Sequence, residues 1–261
     1  MAAVISFDTI DESPSIQLLG PVVVKSADGT ARMTGTTSRL IVADLVLSGS
    51  RFSSDAALVE LLWSDSAPPS SSAVRVAITR TRQHLQGTGW AIVRVAHGYR
   101  LIGEGDTDTD RLGTLERNLA TSTQPHEALA QCSAALALWH GRSLADVRTT
   151  DGGSRLADHL DSRRSALRRR LVYAARSAER LPEFLGEFRQ WVSDEPLDES
   201  AVCALALALG HTGQVVAGLR LLNSTRALLA DVGVTPTARL RACEAELFAL
   251  DADRPSLRPS A

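Results

Sequence analysis

The chain contains 261 residues, of which 44% are hydrophobic and 22% are charged. This is typical of a soluble globular protein with room for two ordinary domains or one large one. Because the formal net charge is only −2, any contact with nucleic acid has to depend on a local basic patch rather than on overall charge.

No sorting signal or membrane span is predicted. The N-terminus lacks the basic region and long apolar core of a secretory signal. The longest apolar runs, such as 202–210, are far shorter than the roughly 20 residues that cross a bilayer. Cys132, Cys203 and Cys243 are widely spaced and fall on apolar helical positions. We therefore expect reduced core cysteines in a cytoplasmic protein that makes no membrane contact.

The first half of the chain mixes strands and helices. A β-rich run at 15–25 is followed by a turn at 27–29 and a candidate return strand at 30–35. A helix is predicted over 36–50, with its apolar positions at Leu40, Ala43, Val46 and Leu47.

Two more helices and a hairpin complete this half. A short helix begins at Ser54 or Asp55, and a third helix follows a break rich in serine and proline. Residues 89–103 alternate around a His-Gly turn, which is typical of a β-hairpin. Strands, three helices and a terminal hairpin, in that order, predict a winged helix over residues 15–103.

The third helix, Ser71–Leu85, contains three arginines and no acidic residue. A helical wheel places a set of apolar and small residues on one face, which is the predicted core side: Val74, Ala77, Ile78, Thr81 and Leu85. The opposite face and its edges carry the candidate DNA-binding residues: Ser72, Arg75, Val76, Thr79, Arg80, Arg82 and Gln83.

Such a face suits the major groove of DNA. Arginine pairs bidentately with guanine, while threonine, valine and glutamine contact thymine methyls or adenine edges. An ordinary solvated helix face is the alternative interpretation. It is disfavoured because no acidic residue lies between Asp65 and Glu104, whereas five arginines do. Arg80 and the central positions are the candidates for base contacts, and Arg75 and Arg82 are the candidates for phosphate contacts.

The second half, after a Gly-, Asp- and Thr-rich stretch, is almost entirely helical. Short loops between helices rich in small residues predict antiparallel pairs of the tetratricopeptide type, without the strict repeat consensus. One predicted face holds Ala128, Leu129, Cys132, Ala135, Leu136 and Trp139, and another holds Leu240, Cys243, Leu247 and Leu250.

The predicted fold class is therefore an α+β winged helix-turn-helix followed by an all-α, tetratricopeptide-like helical domain. We expect a disordered tail at 1–14, the winged helix at 15–103, a linker at 104–110, the helical domain at 111–251 and a second disordered tail at 252–261.

A second basic cluster lies on a long predicted helix of the helical half and consists of Arg163, Arg164, Arg168, Arg169 and Arg170. Arginine stems cover apolar surface well, and Asp158 and Asp161 lie at helical spacing from the cluster. We expect a solvated, salt-bridged face here, with a DNA or partner contact as the less favoured alternative.

Signatures of enzymes and metal sites are missing. No phosphate-binding glycine loop, no nucleophile elbow and no His or Cys spacing for metal occurs. We expect no catalytic residues, no cofactor and no metal.

Six segments together resemble the Streptomyces antibiotic regulatory proteins, or SARPs. They are LLGPVVVKSADG, ALVELLWSDSAPP, ITRTRQHL, VAHGYRL, AALALWHGRSLADV and LLADVGVTPTARL, and the resemblance extends from about Ile16 to Leu250. The resemblance implies an OmpR-type winged helix followed by a bacterial transcriptional activator domain, and the chain is similar to the small type of the family, with no ATPase module. Asp44 departs from the family pattern and is expected to face solvent, and LGHTGQVVAGL replaces the family's more charged turn.

The resemblance also implies a function. Family members activate transcription, commonly of a secondary-metabolite gene cluster such as one for an antibiotic, by binding direct repeats in double-stranded DNA as a dimer and recruiting RNA polymerase holoenzyme. By this resemblance the wing contributes Arg94, His97 and Tyr99 to DNA binding. The loop that approaches RNA polymerase contains Trp63, Ser64, Asp65, Pro68 and Pro69.

A function of another class is a helical-repeat adaptor whose winged helix contacts protein rather than DNA. It predicts no salt-sensitive affinity for DNA. The target operator, the regulated pathway and any small-molecule input are not encoded in a form that sequence patterns reveal.

Overall fold

The computed structural model describes residues 16–26, 33–64, 70 and 72–252. They form two compact units. The first unit comprises the described part of Met1–Thr121 together with Ser133–Ser165, and the second comprises Ser122–Cys132 together with the described part of Ala166–Ala261. Two helices, Pro125–Leu136 and Asp151–Ser177, contribute residues to both units.

The first unit contains two antiparallel sheets and four complete helices among its described residues. In chain order the elements are β1 (Ile16–Gln17), β2 (Val23–Val24), α1 (Thr36–Leu47), β3 (Phe52–Ser54), α2 (Asp55–Trp63), α3 (Ala73–His84), β4 (Trp90–Val95), β5 (Gly98–Gly103) and α4 (Asp108–Thr121). β1 pairs with β2, and the second sheet has the order β3-β5-β4. The predicted α+β winged helix is confirmed.

The second sheet depends on a close approach between β3 and β5. Ser54 lies opposite Gly98, and a Cβ atom added at Gly98 would lie only 2.2 Å from the Ser53 carbonyl oxygen. Glycine is therefore required at this position. The Ser54 side chain accepts a hydrogen bond from the Ala57 amide at 3.1 Å, so the predicted N-cap of α2 is confirmed.

The first sheet forms from β1 and β2, without the described residues 33–35 of the return strand predicted at 30–35. The β-rich run folds back on itself, since Ile16 pairs with Val24 and Gln17 with Val23. Gly20 and Pro21 lie in the reversal and supply the turn. Residues 33–35 form no strand, and the predicted turn at 27–29 lies outside the described residues.

The buried surface of helix α1 is wider than the apolar stripe predicted from the sequence. Leu40 and Ala43 are buried as expected, but Ile41, Val42 and Leu45 are buried too, while Val46 and Leu47 are only half-buried. The reason is that α1 packs against α2, α3, β3 and β5 at once.

Asp44, expected to face solvent, is half-buried instead. Burial raises the pKa of its carboxyl group, and a hydrogen bond with Ser53 partly opposes this shift.

The N-terminal hairpin is hydrogen-bonded to chain segments far away in sequence. The amides of Leu18 and Leu19 both donate to Asp108 Oδ2, at 2.7 and 2.8 Å. The Leu19 carbonyl accepts from the His140 amide at 2.8 Å, and Asp146 accepts from the Val22 amide at 3.0 Å. The predicted linker at 104–110 thus includes the first residues of α4 and an anchoring carboxylate.

The second unit is helical, as predicted. The remaining elements are α5 (Pro125–Leu136), α6 (Asp151–Ser177), a short 3₁₀ helix (Leu181–Phe184), α7 (Leu185–Asp194), α8 (Glu199–His211), α9 (Val215–Asp231) and α10 (Ala238–Ala252). Every residue of α8 from Ala201 to Gly210 is buried, so this helix is the centre of the unit. Leu240, Cys243 and Leu247 form the predicted buried stripe of α10, and Leu250 is half-buried.

The three cysteines are free and buried, which confirms their predicted core positions. Among the described residues, no helix is both long and apolar enough to cross a membrane. Within the same ranges, no group of three or more His, Cys, Asp or Glu side chains is arranged to hold a metal ion.

We expect Asp108 to govern the anchoring of the N-terminal hairpin. Asp108→Ala leaves two buried amides without an acceptor and should lower the free energy of unfolding by roughly 1–3 kcal/mol. Asp108→Asn keeps an acceptor oxygen and should cost much less. Urea unfolding of both variants measures the difference, and equal losses would contradict the anchoring role.

The same carboxylate should make stability depend on pH. Burial raises the pKa of Asp108 from 3.8 to about 6, against the opposing effect of the Leu18 and Leu19 amides. The folded chain therefore binds the Asp108 proton more tightly than the unfolded chain does. The free energy that this protonation adds to stability is present below about pH 4 and is lost as the pH rises through about 6. Wild type should gain stability relative to Asp108→Asn on acidification across that window, and a constant difference would contradict this assignment.

Candidate nucleic-acid interface

Helix α3 is oriented by a buried face that matches the predicted one. Val74, Ala77, Ile78 and Thr81 are buried, and the Thr81 hydroxyl donates to the Ser38 hydroxyl of α1 at 3.2 Å. Leu85, the residue after the helix, is 2% exposed. The packing of α3 against α1 therefore fixes which side chains of α3 face away from the core.

The opposite face of α3 is exposed and carries no acidic residue. Val76, an apolar residue, is 48% exposed. The other exposed members of the predicted set are Arg75, Thr79, Arg80, Arg82 and Gln83. Ser72 is half-buried, and its hydroxyl lies 3.1 Å from that of Ser70 at the start of the helix.

An open groove separates α3 from the β4–β5 hairpin. Its volume is about 630 Å³. The residues that line it are Asp55, Val59, Val74, Arg75, Ile78, Thr79, Arg82, Arg94 and Tyr99. Three of the predicted arginines therefore share one concave surface.

Tyr99, predicted to contact DNA, is only 3% exposed. The guanidinium of Arg94 lies 4.7 Å from the centre of its ring, and that of Arg82 lies 6.0 Å away. Such stacking holds a cation over an aromatic face. The structure places Tyr99 as a support for two arginines rather than as an exposed contacting group.

The arginines differ in their intramolecular partners. Arg82 Nε donates to the Ile92 carbonyl at 2.8 Å. Arg94 forms a bidentate pair with Asp55, with Nη1–Oδ1 and Nη2–Oδ2 distances of 2.6 and 2.7 Å. Within the described part of the chain, the side chains of Arg75 and Arg80 donate no hydrogen bond. These two are the arginines most available to an outside anion.

The Asp55–Arg94 pair changes the charge of the wing. The hydrogen bonds from Arg94 hold the pKa of the Asp55 carboxyl below its ordinary value, and they raise the pKa of Arg94 further. The carboxylate therefore stays ionised and offsets the charge of Arg94 at neutral pH.

The wing tip is short. Val95 pairs with Gly98, so the hairpin turns through Ala96 and His97, both of which are exposed. The His97 carbonyl accepts a hydrogen bond from the Asp55 amide at 3.0 Å. The tip is thus tied to the start of α2.

The predicted RNA polymerase loop is only partly described. Trp63, the last residue of α2, is half-buried, and Ser64 is exposed. Ser64 donates to Asp151 at the start of α6, at 3.2 Å. Asp65, Pro68 and Pro69 lie outside the described residues.

Two residues near this surface were not among the predicted site residues. The sequence pattern marks Asp55 only as a helix start. Its pairing with Arg94 gives no local signal, because the two residues lie 39 positions apart in sequence. Arg100 is exposed on β5, on the opposite face of the sheet from Tyr99. The alternation of side chains along β5 is the signal that could have identified Arg100 as solvent-facing.

Part of the second basic cluster is salt-bridged, and the cluster is not uniformly solvated. Arg168 is 1% exposed and pairs with Glu187 and Asp194 at 2.7 and 2.9 Å. Arg163 pairs with Glu116 at 2.6 Å, and Arg164 lies over Trp139.

The predicted partners of that cluster pair elsewhere. Asp158 and Asp161 bind Arg148, at 3.7 and 2.6 Å, rather than the cluster. Helical spacing alone did not reveal the competing arginine.

Comparison with known proteins supplies independent evidence. Residues 107–248 match the family described as bacterial transcriptional activator domain. The search of curated proteins returned no significant match.

Among solved structures, the chain is similar to Mycobacterium tuberculosis EmbR in complex with a low-affinity phosphopeptide. The TM-score is 0.71 and the sequence identity is 24%. The alignment covers 90% of this chain and 65% of that one. This likeness establishes the fold.

Asp55→Asn should strengthen the binding of random-sequence duplex DNA, because it frees Arg94 for a phosphate. The slope of log K against log salt should become more negative by up to about one. Fluorescence anisotropy at several salt concentrations measures both quantities.

Glu60→Gln is the matched control, since it removes the same charge from an exposed position of the same helix, where Glu60 pairs with Arg155 at 2.6 Å. Equal gains in the two variants would show an effect of net charge and contradict the role assigned to the Asp55–Arg94 pair.

Proposed function

Because the chain belongs to the bacterial transcriptional activator domain family, whose members are transcription regulators and not enzymes, we propose that it activates transcription by placing α3 in the major groove of promoter DNA. The observation that carries this proposal is the exposed, acid-free face of α3. It presents Arg75, Arg80 and Arg82 around the exposed side chain of Val76. A surface that serves solubility alone normally mixes both charge signs.

The side chains of α3 have different tasks in this proposal. Arg80 donates no hydrogen bond within the described residues and pairs with a guanine edge. Val76, Thr79 and Gln83 contact neighbouring bases. The Thr79 hydroxyl donates to the Arg75 carbonyl at 2.9 Å, which leaves its oxygen as an acceptor and its methyl group for a thymine.

Phosphate contacts position the helix. The Arg75 side chain donates no hydrogen bond among the described residues and can bind a phosphate. Arg82 donates from Nε to the Ile92 carbonyl, so its terminal nitrogens can bind a phosphate. Arg94 reaches a phosphate by exchanging Asp55 for it, and His97 at the wing tip approaches the minor groove.

We further propose that two copies bind direct repeats, head to tail, upstream of promoters of a secondary-metabolite gene cluster. Support comes from the resemblance to SARP-type regulators. Tandem binding of this kind is heterologous rather than two-fold symmetric. The loop from Trp63 to Pro69 recruits RNA polymerase holoenzyme in this proposal.

Arg80→Ala should relax the base preference at one position of the binding site, at a cost of roughly 1–3 kcal/mol for the preferred sequence. Its affinity for random duplex should fall much less. Selection of binding sites from a randomised duplex pool, followed by titration of matched and mismatched sites, measures both effects.

Arg117→Ala is the control for the loss of one positive charge, because Arg117 is exposed on α4 and, among the described residues, its side chain bonds only within that helix, to Thr114 at 3.0 Å. A site preference that is identical in wild type and Arg80→Ala would show that α3 does not read bases through Arg80.

Asp65→Ala should reduce transcription from the target promoter in a purified system and leave promoter affinity unchanged. If the loop contacts RNA polymerase and not DNA, its substitution lowers transcription without changing promoter affinity. Loss of affinity together with activity would contradict the loop's assignment.

The adaptor hypothesis predicts no salt-sensitive DNA affinity in any of these assays.

A further inference from the structure

A cavity in the second unit has no part in the function proposed above. It lies between α6, α7, α8 and α10 and has a volume of about 340 Å³. This is within the usual range for small-molecule sites. Its apolar lining includes Val172, Trp191, Ala204 and Leu207.

The charged lining is predominantly positive. Arg169, Arg176 and Arg239 line the cavity, and Glu246 is the one acidic residue among the lining side chains. Arg176 pairs with Glu246 at 2.8 Å. Two arginines therefore remain without a carboxylate partner beside an apolar cavity.

Those two arginines are held differently. Arg239 donates to the hydroxyl of Ser200, a neutral partner that leaves its charge uncompensated. Arg169 is exposed, and the described residues provide it with no hydrogen bond or ion pair. A charged group next to apolar surface is stabilised when an anion supplies charge-assisted hydrogen bonds.

Trp191 adds a second observation. It is fully buried, and its indole Nε1 has no hydrogen-bond acceptor among the described residues. The guanidinium of Arg168 lies 5.9 Å from the Trp191 ring centre. Arg168 is itself neutralised by Glu187 and Asp194. Trp191, with its unpartnered N–H, and the two uncompensated arginines therefore all line the same cavity.

We infer that this cavity binds a small anionic molecule with an apolar, aromatic body. The anionic group, a carboxylate or a sulfate-like group, is held between Arg169 and Arg239. The aromatic body packs against Trp191 and Leu207. The inference goes beyond DNA binding, and its test needs no DNA.

The probe is 8-anilinonaphthalene-1-sulfonate, which combines an aromatic body with one anionic group. N-phenyl-1-naphthylamine has the same body without the sulfonate. Both are titrated by fluorescence into the full-length chain. We expect the sulfonate probe to bind the wild-type chain at one site. Its Kd should be about tenfold higher in Arg169→Gln and higher still in Arg169→Gln/Arg239→Gln, because charged hydrogen bonds are lost. The Kd of the uncharged probe should change less than twofold in either variant.

Arg220→Gln is the matched control, since Arg220 is exposed on α9 and does not line the cavity. It should leave both affinities unchanged. Arg169→Gln removes an exposed side chain without an intramolecular partner, so folding is preserved in at least that variant. The inference is overturned if wild type binds no sulfonate probe, if Arg169→Gln leaves its affinity unchanged, or if both probes weaken in parallel.

Discussion

The packing of α3 against α1 is the constraint on which the surface proposed to bind DNA depends. Val74, Ile78 and Thr81 are buried, and the Thr81–Ser38 hydrogen bond joins the two helices inside the core. A rotation of α3 about its axis would expose these groups and leave the Ser38 hydroxyl without its partner, which is costly in a buried setting. The arginines on the far side are thus oriented by buried residues on the core face of α3. The same packing forms one wall of the groove in which Arg82 and Arg94 lie over Tyr99.

Electrostatic balance divides that surface into available and restrained cations. Arg94 is neutralised by Asp55, whereas Arg75 and Arg80 donate no hydrogen bonds among the described residues. An exposed ion pair of this kind adds little to stability. Its larger effect is on charge, because it offsets the positive charge of Arg94, while Arg75 and Arg80 of α3 keep theirs. In the proposed function, the pair favours base reading by α3 over non-specific binding by the wing. The basic surface of a chain with a net charge of −2 comes from the acid-free face of α3.

The orientation of α3 was predictable because a single 3.6-residue periodicity separates Val74, Ile78 and Thr81 from Arg75 and Arg80. The winged-helix order followed from local patterns in the same way. Pairing over long sequence distances was not predictable. Asp55 reaches Arg94 across 39 residues, and Asp108 reaches Leu18 across 90. Neither contact leaves a periodic signal. Helix α1 shows the other limit, since neighbours on several sides bury Ile41 and Val42 outside its predicted stripe. The cavity beside Trp191 likewise depends on four helices, and no short motif marks it.

We propose that α3 binds DNA through Arg75 and Arg80, and the salt dependence of binding tests this most directly. The measurement compares wild type with Arg75→Gln/Arg80→Gln on the duplex upstream of the chain's own gene, across a series of salt concentrations. Wild type should lose affinity steeply as salt rises. The double variant should bind more weakly, with a log–log slope shallower by up to about one, since the lost phosphate contact of Arg75 contributes about 0.9. Equal slopes and equal affinities in the two proteins would contradict the claim.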